Sequence, residues 1–110
     1  MVDLEKAIRS LSSNDVDYVI VGGVAVKLHA SAYITDDLDF CYARTNANLA
    51  KLELALSPFE PRPRDFSNEL PFVFDSSTIR NATNLTLATS IGDIDLLGEV
   101  KGIGIHSRPR

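Results

Sequence analysis

The stretch that decides the fold is Asp36-Asp37-Leu38-Asp39-Phe40-Cys41-Tyr42. Apolar residues occupy its even positions from 38 onward, whereas Asp37, Asp39 and Cys41 occupy the odd positions. Successive side chains of a β-strand point to opposite faces, so the stretch is predicted to be a strand with one apolar and one acidic face. The two carboxylates of the acidic face then lie about 6.5–7 Å apart at the backbone.

The residues that precede this strand predict a helix, a strand, a glycine turn and a second helix. Residues 3–12 repeat apolar residues at helical spacing, with Asp3 as the N-cap. Residues 18–21 form a continuous β-prone run, which favours a strand buried on both faces. Gly22-Gly23 ends that run. A helical apolar pattern follows at Val24, Ala25, Leu28, His29 and Ala32.

The residues that follow predict two further helices and a hairpin. Thr45 or Asn46 caps a helix with leucines at positions 49, 52 and 56, and Pro58 ends it. Residues 58–68 are predicted to be a loop, 70–74 a short strand and 76–82 a short helix. Residues 85–89 and 93–97 are two strand-like runs that predict a hairpin. We therefore expect one α/β or α+β domain over residues 1–110, with a mixed sheet and helices mainly on one face.

Composition limits the classes of protein to which this chain can belong. The 110 residues are 45% apolar, with 11 Lys and Arg against 15 Asp and Glu, and a net charge of −4. This balance argues against a protein that coats nucleic acid through a basic surface. The single cysteine, Cys41, cannot form an internal disulfide. The N-terminus does not resemble a signal peptide, and the apolar stretch 18–26 is too short to span a bilayer. We expect a cytoplasmic protein with no membrane association.

Three features predict a site for phosphate and metal ions. Gly22-Gly23 lies between a predicted strand and a predicted helix, where backbone N–H groups can bind phosphate. Asp37 and Asp39 share one strand face, and Asp93-Ile94-Asp95 is a second Asp-x-Asp that the hairpin can place nearby. Clustered carboxylates repel one another, and a divalent cation relieves that repulsion. Hard oxygen ligands favour Mg²⁺ or Mn²⁺.

The order and spacing of these residues resemble a known family. Gly22-Gly23, Asp37-Leu38-Asp39-Phe40 and a later Ile94-Asp95-Leu96-Leu97 are similar to the signature of the DNA polymerase beta-like nucleotidyltransferase superfamily. The similarity covers roughly residues 16–100. A wider run, residues 19–29 followed by residues 35–40, is similar to small prokaryotic members, which include minimal nucleotidyltransferases and their toxin–antitoxin relatives.

The resemblance implies a reaction and a role for each matching residue. A nucleoside monophosphate would pass from an NTP, expected to be ATP, to an acceptor hydroxyl, with release of pyrophosphate. Gly22 and Gly23 would hold the triphosphate, while Asp37 and Asp39 would ligate two metal ions. Asp95 would bind the catalytic metal and help to deprotonate the acceptor. Asp93 is the weaker candidate for the third acid.

The second group of candidate site residues consists of Thr35 and Lys27. Thr35 is expected to cap or orient the acidic strand, and both residues are candidates for binding the nucleotide. For Lys27 the simpler interpretation is a solvent-facing side chain. Scattered arginines at positions 62, 64 and 80 are interpreted as surface residues that could also reach a nucleotide or RNA.

Two departures from the family pattern keep other functions open. Tyr33 stands where many small members have an arginine. Family members usually continue into C-terminal helices, so the chain is expected to be either a fragment or a bare core without them. A non-catalytic nucleotide-binding or antitoxin-like module is therefore the alternative, and a structural domain without a ligand is a third. The acceptor is open between tRNA, a partner toxin protein and a small molecule. The apolar run 91–105 leaves a homo-oligomer open.

Overall fold

The computed structural model describes residues 2–21, 27–29, 32–64 and 71–98. In chain order the elements are β1 (Val2–Asp3), α1 (Leu4–Ser13), β2 (Tyr18–Ile20), β3 (Lys27–His29), β4 (Ala32–Thr35), β5 (Leu38–Tyr42), α2 (Asn46–Leu56), a 3₁₀ turn (Ser57–Phe59), β6 (Arg62–Pro63), α3 (Ser76–Asn81), β7 (Asn84–Thr89) and β8 (Gly92–Leu97).

The main sheet has five strands in the order β2-β5-β8-β7-β6. Strand β5 pairs with β8 in parallel, and the other three neighbouring pairs are antiparallel. A smaller antiparallel sheet has the order β1-β4-β3. The expected mixed sheet is therefore confirmed, and the fold belongs to the α+β class.

One apolar core lies between the inner face of the main sheet and the three helices. Strand β5 buries Leu38, Phe40 and Tyr42, and β8 buries Ile94 and Leu96. These residues form a single cluster with apolar side chains of α1, α2 and α3, among them Ala7, Leu11, Leu49, Leu52, Leu56 and Ile79. The alternation that predicted strand β5 is thus the alternation that its packing requires.

Each helix begins at a side chain that accepts a hydrogen bond from its first turn. The Asp3 carboxylate accepts from the backbone N–H of Lys6 at 3.1 Å, and the Asp75 carboxylate accepts from that of Thr78 at 2.8 Å. The Thr45 hydroxyl accepts from the N–H of Asn48 at 3.2 Å. Such caps satisfy N–H groups that have no partner within the helix. The predicted cap Asp3 is confirmed, and of the two alternatives Thr45 and Asn46 the structure has Thr45 as the cap.

Three sequence predictions of local structure are wrong. The helix predicted from Val24 onward is not found where the chain is described, because Lys27–His29 is strand β3 and Ala32 begins β4. Short apolar repeats fit a helix or a strand equally well, and here pairing between β3 and β4 decides. Strand β2 is not buried on both faces, since it is an edge strand and Val19 is 37% exposed.

The third wrong prediction concerns the region after α2. Residues 71–74 are irregular rather than a strand, and residue 70 lies outside the described residues. The expected loop 58–68 contains the 3₁₀ turn and the two-residue strand β6, which includes Pro63. Proline is tolerated there because β6 is at the edge of the sheet.

A buried asparagine ties α2 to the two strands that begin and end beside it. Asn48 is 3% exposed, and its Nδ2 donates to the carbonyl oxygens of Asp17 (3.1 Å) and Ala43 (2.7 Å). Its Oδ1 accepts from the backbone N–H of Asp17 at 2.7 Å. One side chain thus joins the residues before β2 and after β5, which fixes the start of the helix against the sheet.

We expect Asn48→Ala to lower the free energy of unfolding by about 3 kcal/mol, because it leaves buried backbone groups without partners. Urea denaturation followed by circular dichroism measures the loss. Asn46→Ala, the same substitution at an exposed position of the same helix, removes only an exposed hydrogen bond from Arg80 and should lower stability by less than about 1 kcal/mol. Equal losses in the two variants would contradict the role assigned to Asn48.

Candidate functional site

The parallel pairing of β5 with β8 brings two acidic residues side by side. Asp39 is the direct register partner of Asp95, between the partners Leu38 and Ile94 and the partners Phe40 and Leu96. Those flanking residues are buried in the core. Because side chains alternate along a strand, Asp39 and Asp95 point to the opposite face of the sheet, away from the helices.

The electrostatics of Asp39 reflect this crowding. Burial raises the pKa of the Asp39 carboxyl, and a hydrogen bond shared with Asp95 raises it further. The negative charges of Asp95 and Asp37 act in the same direction, while the positive charge of Arg64 lowers the pKa. The Asp39 carboxyl therefore resists ionisation in the folded protein.

One oxygen of Asp39 has no partner of its own. Its Oδ1 is buried, and within the described ranges it has no hydrogen-bond partner. A buried polar oxygen without a partner costs free energy, and in native proteins it often marks a site for an ion or water. Carboxylate oxygens are ligands that suit Mg²⁺ and Mn²⁺. The donor set of Asp37, Asp39 and Asp95 therefore fits a divalent cation in kind.

These oxygens are of the kind that binds a divalent cation, but their positions do not form a complete metal site. Within residues 2–21, 27–29, 32–64 and 71–98, no group of three or more His, Cys, Asp or Glu side chains is placed to hold a metal ion. Asp39 and Asp95 are in contact, whereas Asp37 lies in the exposed turn before β5 and acts on Asp39 through its charge. A three-carboxylate site would need Asp37 to turn toward the other two.

An arginine that the sequence pattern predicted to be a surface residue completes the cluster. Arg64 Nη2 donates to Asp95 Oδ1 at 2.5 Å, and its Nε lies 3.5 Å from Asp93 Oδ2. The same Nη2 also donates to the carbonyl of Leu87 at 3.3 Å. Arg64 follows β6 directly, so the edge strand places its side chain over β7 and β8. Nothing in the spacing of the sequence marked this arginine, because it lies 31 residues from Asp95.

The remaining candidate residues are placed as follows. Thr35 is 4% exposed, and its hydroxyl donates to the carbonyl of Asp37 at 3.2 Å, which holds the turn that enters β5. Lys27 lies in β3, paired with Ile34 of β4, rather than in a helix. Gly22 and Gly23 lie outside the described residues. The roles proposed for these four residues in nucleotide binding stay predictions.

Cys41 continues the acidic face of β5 beyond Asp39. Its thiol is buried, with 1% exposure, and burial raises its pKa above the ordinary value. A thiol with a raised pKa is a poor nucleophile at neutral pH. Cys41 is therefore a packing residue of this face.

The raised pKa of Asp39 predicts how stability depends on pH. Between the ordinary carboxyl pKa and the raised one, folded Asp39 keeps a proton that the unfolded chain has lost. The contribution of this residue to stability is therefore largest at low pH and decreases as pH rises through that interval. Asp39→Asn should remove this dependence and melt at a higher temperature than the original protein at pH 7.

Thermal melts of the original protein and Asp39→Asn from pH 4 to pH 8, without divalent ions, measure this effect. Asp36→Asn is the matched control, since Asp36 is exposed and three residues from Asp39. It should follow the original protein at every pH. A pH profile of Asp39→Asn that also follows the original protein would show that ionisation of Asp39 does not destabilise the fold.

No protein-family model, curated protein or solved structure matches the chain. In the part of the chain that the structure describes, none of the helices is both long and apolar enough to cross a membrane. The resemblance to nucleotidyltransferases therefore depends on the motif residues alone.

Proposed function

We propose that the chain is a metal-dependent nucleotidyltransferase that acts in the cytoplasm. It would move a nucleoside monophosphate from an NTP, with ATP as the first candidate, to an acceptor hydroxyl and release pyrophosphate. The observation that carries this proposal is the register pairing of Asp39 with Asp95, which joins the two Asp-x-Asp motifs on the face of the sheet opposite the core. A buried oxygen of Asp39 that has no hydrogen-bond partner among the described residues supports it.

The proposed mechanism assigns each carboxylate a task. Asp37, Asp39 and Asp95 would hold Mg²⁺ or Mn²⁺, which when bound neutralises phosphate charge and polarises the reacting oxygens. Asp95 would accept the proton of the acceptor hydroxyl as its oxygen attacks the α-phosphorus. The bond from that phosphorus to the bridging oxygen breaks, and pyrophosphate leaves with the electron pair. Gly22-Gly23 and Lys27 would hold the triphosphate, and Thr35 would orient the strand that carries Asp37 and Asp39.

Position in the sheet is a second argument for this site. The two acids sit on adjacent parallel strands whose flanking residues are anchored in the core. Groups on strands of a packed sheet are held more precisely than groups on loops, which is what in-line phosphoryl transfer needs. The acceptor is proposed to be tRNA or a partner toxin protein.

The Arg64 ion pair favours a second candidate. It neutralises Asp95 with a group of the chain itself, so the cluster can be stable without a metal ion. A non-catalytic nucleotide-binding or antitoxin-like module would need no more than this. Such a module would bind ATP or a partner protein and transfer nothing.

Transfer assays separate the two candidates. Purified protein is incubated with α-³²P-labelled NTPs and Mg²⁺ or Mn²⁺, alone and with tRNA or candidate protein acceptors. We expect label on the acceptor, and a loss of about 100-fold or more in Asp39→Asn and in Asp95→Asn. Asp36→Asn, the exposed neighbour, should keep the full rate.

Two results would contradict the proposal, one against the mechanism and one against catalysis. Transfer that survives Asp39→Asn and Asp95→Asn together would refute the carboxylate mechanism. A stoichiometric partner captured from the native host, together with no transfer to any acceptor, would favour the non-catalytic module.

A further inference from the structure

Arg64 is held at the acidic face by its backbone, which lets its side chain change position while the sheet stays fixed. Its backbone N–H donates to the carbonyl of Thr86 at 3.0 Å, so the residue is fixed to β7. Its side chain is 34% exposed, while that of Asp95 is 20% exposed. The guanidinium can therefore leave the acids for solvent without any change in the backbone of the sheet.

Arg64 also occupies the position of a counter-ion. Among the described residues it forms ion pairs with Asp95 and Asp93, which are successive outward-facing residues of β8. The acidic cluster consists of Asp37 and Asp39 on the β5 side and Asp93 and Asp95 on the β8 side. The positive charge of Arg64 lies on the β8 side. Asp37 and Asp39 on the β5 side have no ion pair with any described residue.

Under the proposed function, Asp95 is a ligand of the metal ion as well as the ion-pair partner of Arg64. The oxygen that accepts from Arg64 belongs to the carboxylate that pairs in register with Asp39. Two cations that bind the same carboxylate repel each other. When they are about 4 Å apart, this repulsion is a large fraction of the attraction between one cation and the carboxylate. A divalent ion held by Asp39 and Asp95 would therefore weaken the hold of Asp95 on Arg64.

From this geometry we infer that Arg64 and a divalent metal ion compete for Asp95. In the metal-free protein Arg64 is the counter-ion of Asp93 and Asp95. When the metal binds, the guanidinium gives up Asp95 and keeps Asp93 or turns to solvent. Arg64 is thus a positioning residue that sets the metal affinity of the cluster. The inference depends on the proposed function, since it assumes that Asp95 is a metal ligand.

Metal affinity is the first measurement. Mn²⁺ alone is titrated into metal-free protein, and free Mn²⁺ is measured by electron paramagnetic resonance. We expect Arg64→Gln to bind Mn²⁺ about tenfold more tightly than the original protein, because a competing positive charge is removed. Arg64→Lys keeps the charge and should stay within about threefold of the original affinity. Arg80→Gln is the matched control, since Arg80 is exposed and its Nη2 donates to Asn46 rather than to an acid.

Each outcome of this titration has a meaning. Tighter binding by Arg64→Gln, with Arg80→Gln unchanged, supports the competition. Equal or weaker binding by Arg64→Gln overturns the competition and leaves the proposed function standing. No Mn²⁺ uptake by any variant at millimolar concentrations overturns both.

A second measurement needs no substitution and applies even if Arg64→Gln does not fold. Arginine Nε–H resonances of ¹⁵N-labelled protein are followed as Mg²⁺ is added. The Arg64 resonance should shift with the Mg²⁺ concentration, and the Arg80 resonance should not. An unmoved Arg64 resonance, while backbone amides of β5 and β8 report binding, overturns the competition.

The metal-free ion pair is tested separately by thermal melting. Arg64→Gln should lower Tm by about 5 °C without metal, and by clearly less in a protein that already carries Asp95→Asn. Equal losses in the two backgrounds would mean that Arg64 acts elsewhere. This cycle contains no metal, so its result is independent of whether the chain is a nucleotidyltransferase.

Discussion

The in-register parallel pairing of β5 with β8 is the constraint on which the site depends. Core packing selects that register, because Leu38 and Phe40 on one strand and Ile94 and Leu96 on the other are fully buried. A slip of one residue would turn the acids into the core and the apolar residues outward, so the packing holds the register firmly. The same register forces two carboxylates together on the outer face. The charge cluster is thus a consequence of the hydrophobic pattern, and its repulsion is offset by burial elsewhere.

Sequence reasoning predicted those elements whose pattern has one physical interpretation. The alternation around Asp39, the leucine stripe of α2 and the cap Asp3 each fit one structure, and each is confirmed. For the cap of α2 the sequence left Thr45 and Asn46 open, and the structure has Thr45. The stretch around Lys27 fits both a helix and a strand, and only its pairing with β4 decides. Continuous apolar character similarly cannot tell an edge strand from a central one, which is why the exposure of Val19 was not predicted. Parallel pairing between β5 and β8 has no local signal, so the sequence predicted that the hairpin can place the second Asp-x-Asp near Asp39, but not that Asp39 and Asp95 are register partners.

The position of Arg64 beside the acids could not be predicted from the sequence. Its position is set by the two-residue strand β6 at the sheet edge, within a proline-rich stretch that has no periodicity. Its partners Asp93 and Asp95 lie about thirty residues further along the chain. A sequence motif identifies a residue by its neighbours along the chain, whereas Arg64 contacts residues that are distant along the chain. The position of Arg64 was therefore not predicted, whereas the nearness of the two Asp-x-Asp stretches, which bring Asp39 beside Asp95, was.

The uneven neutralisation of the cluster bears on whether it serves stability or chemistry. Replacing Asp39 by a neutral residue would relieve its repulsion with Asp95, since Arg64 already neutralises the β8 side, so the stability of the fold does not account for this carboxylate. Asp39 also keeps a buried oxygen without a partner among the described residues, and its pKa is raised by burial and by the negative charges beside it. Sequences depart from local consistency chiefly at functional or strained sites. The strain is concentrated on the β5 side of the cluster, where Arg64 makes no ion pair, and this is the side on which a divalent ion would relieve it.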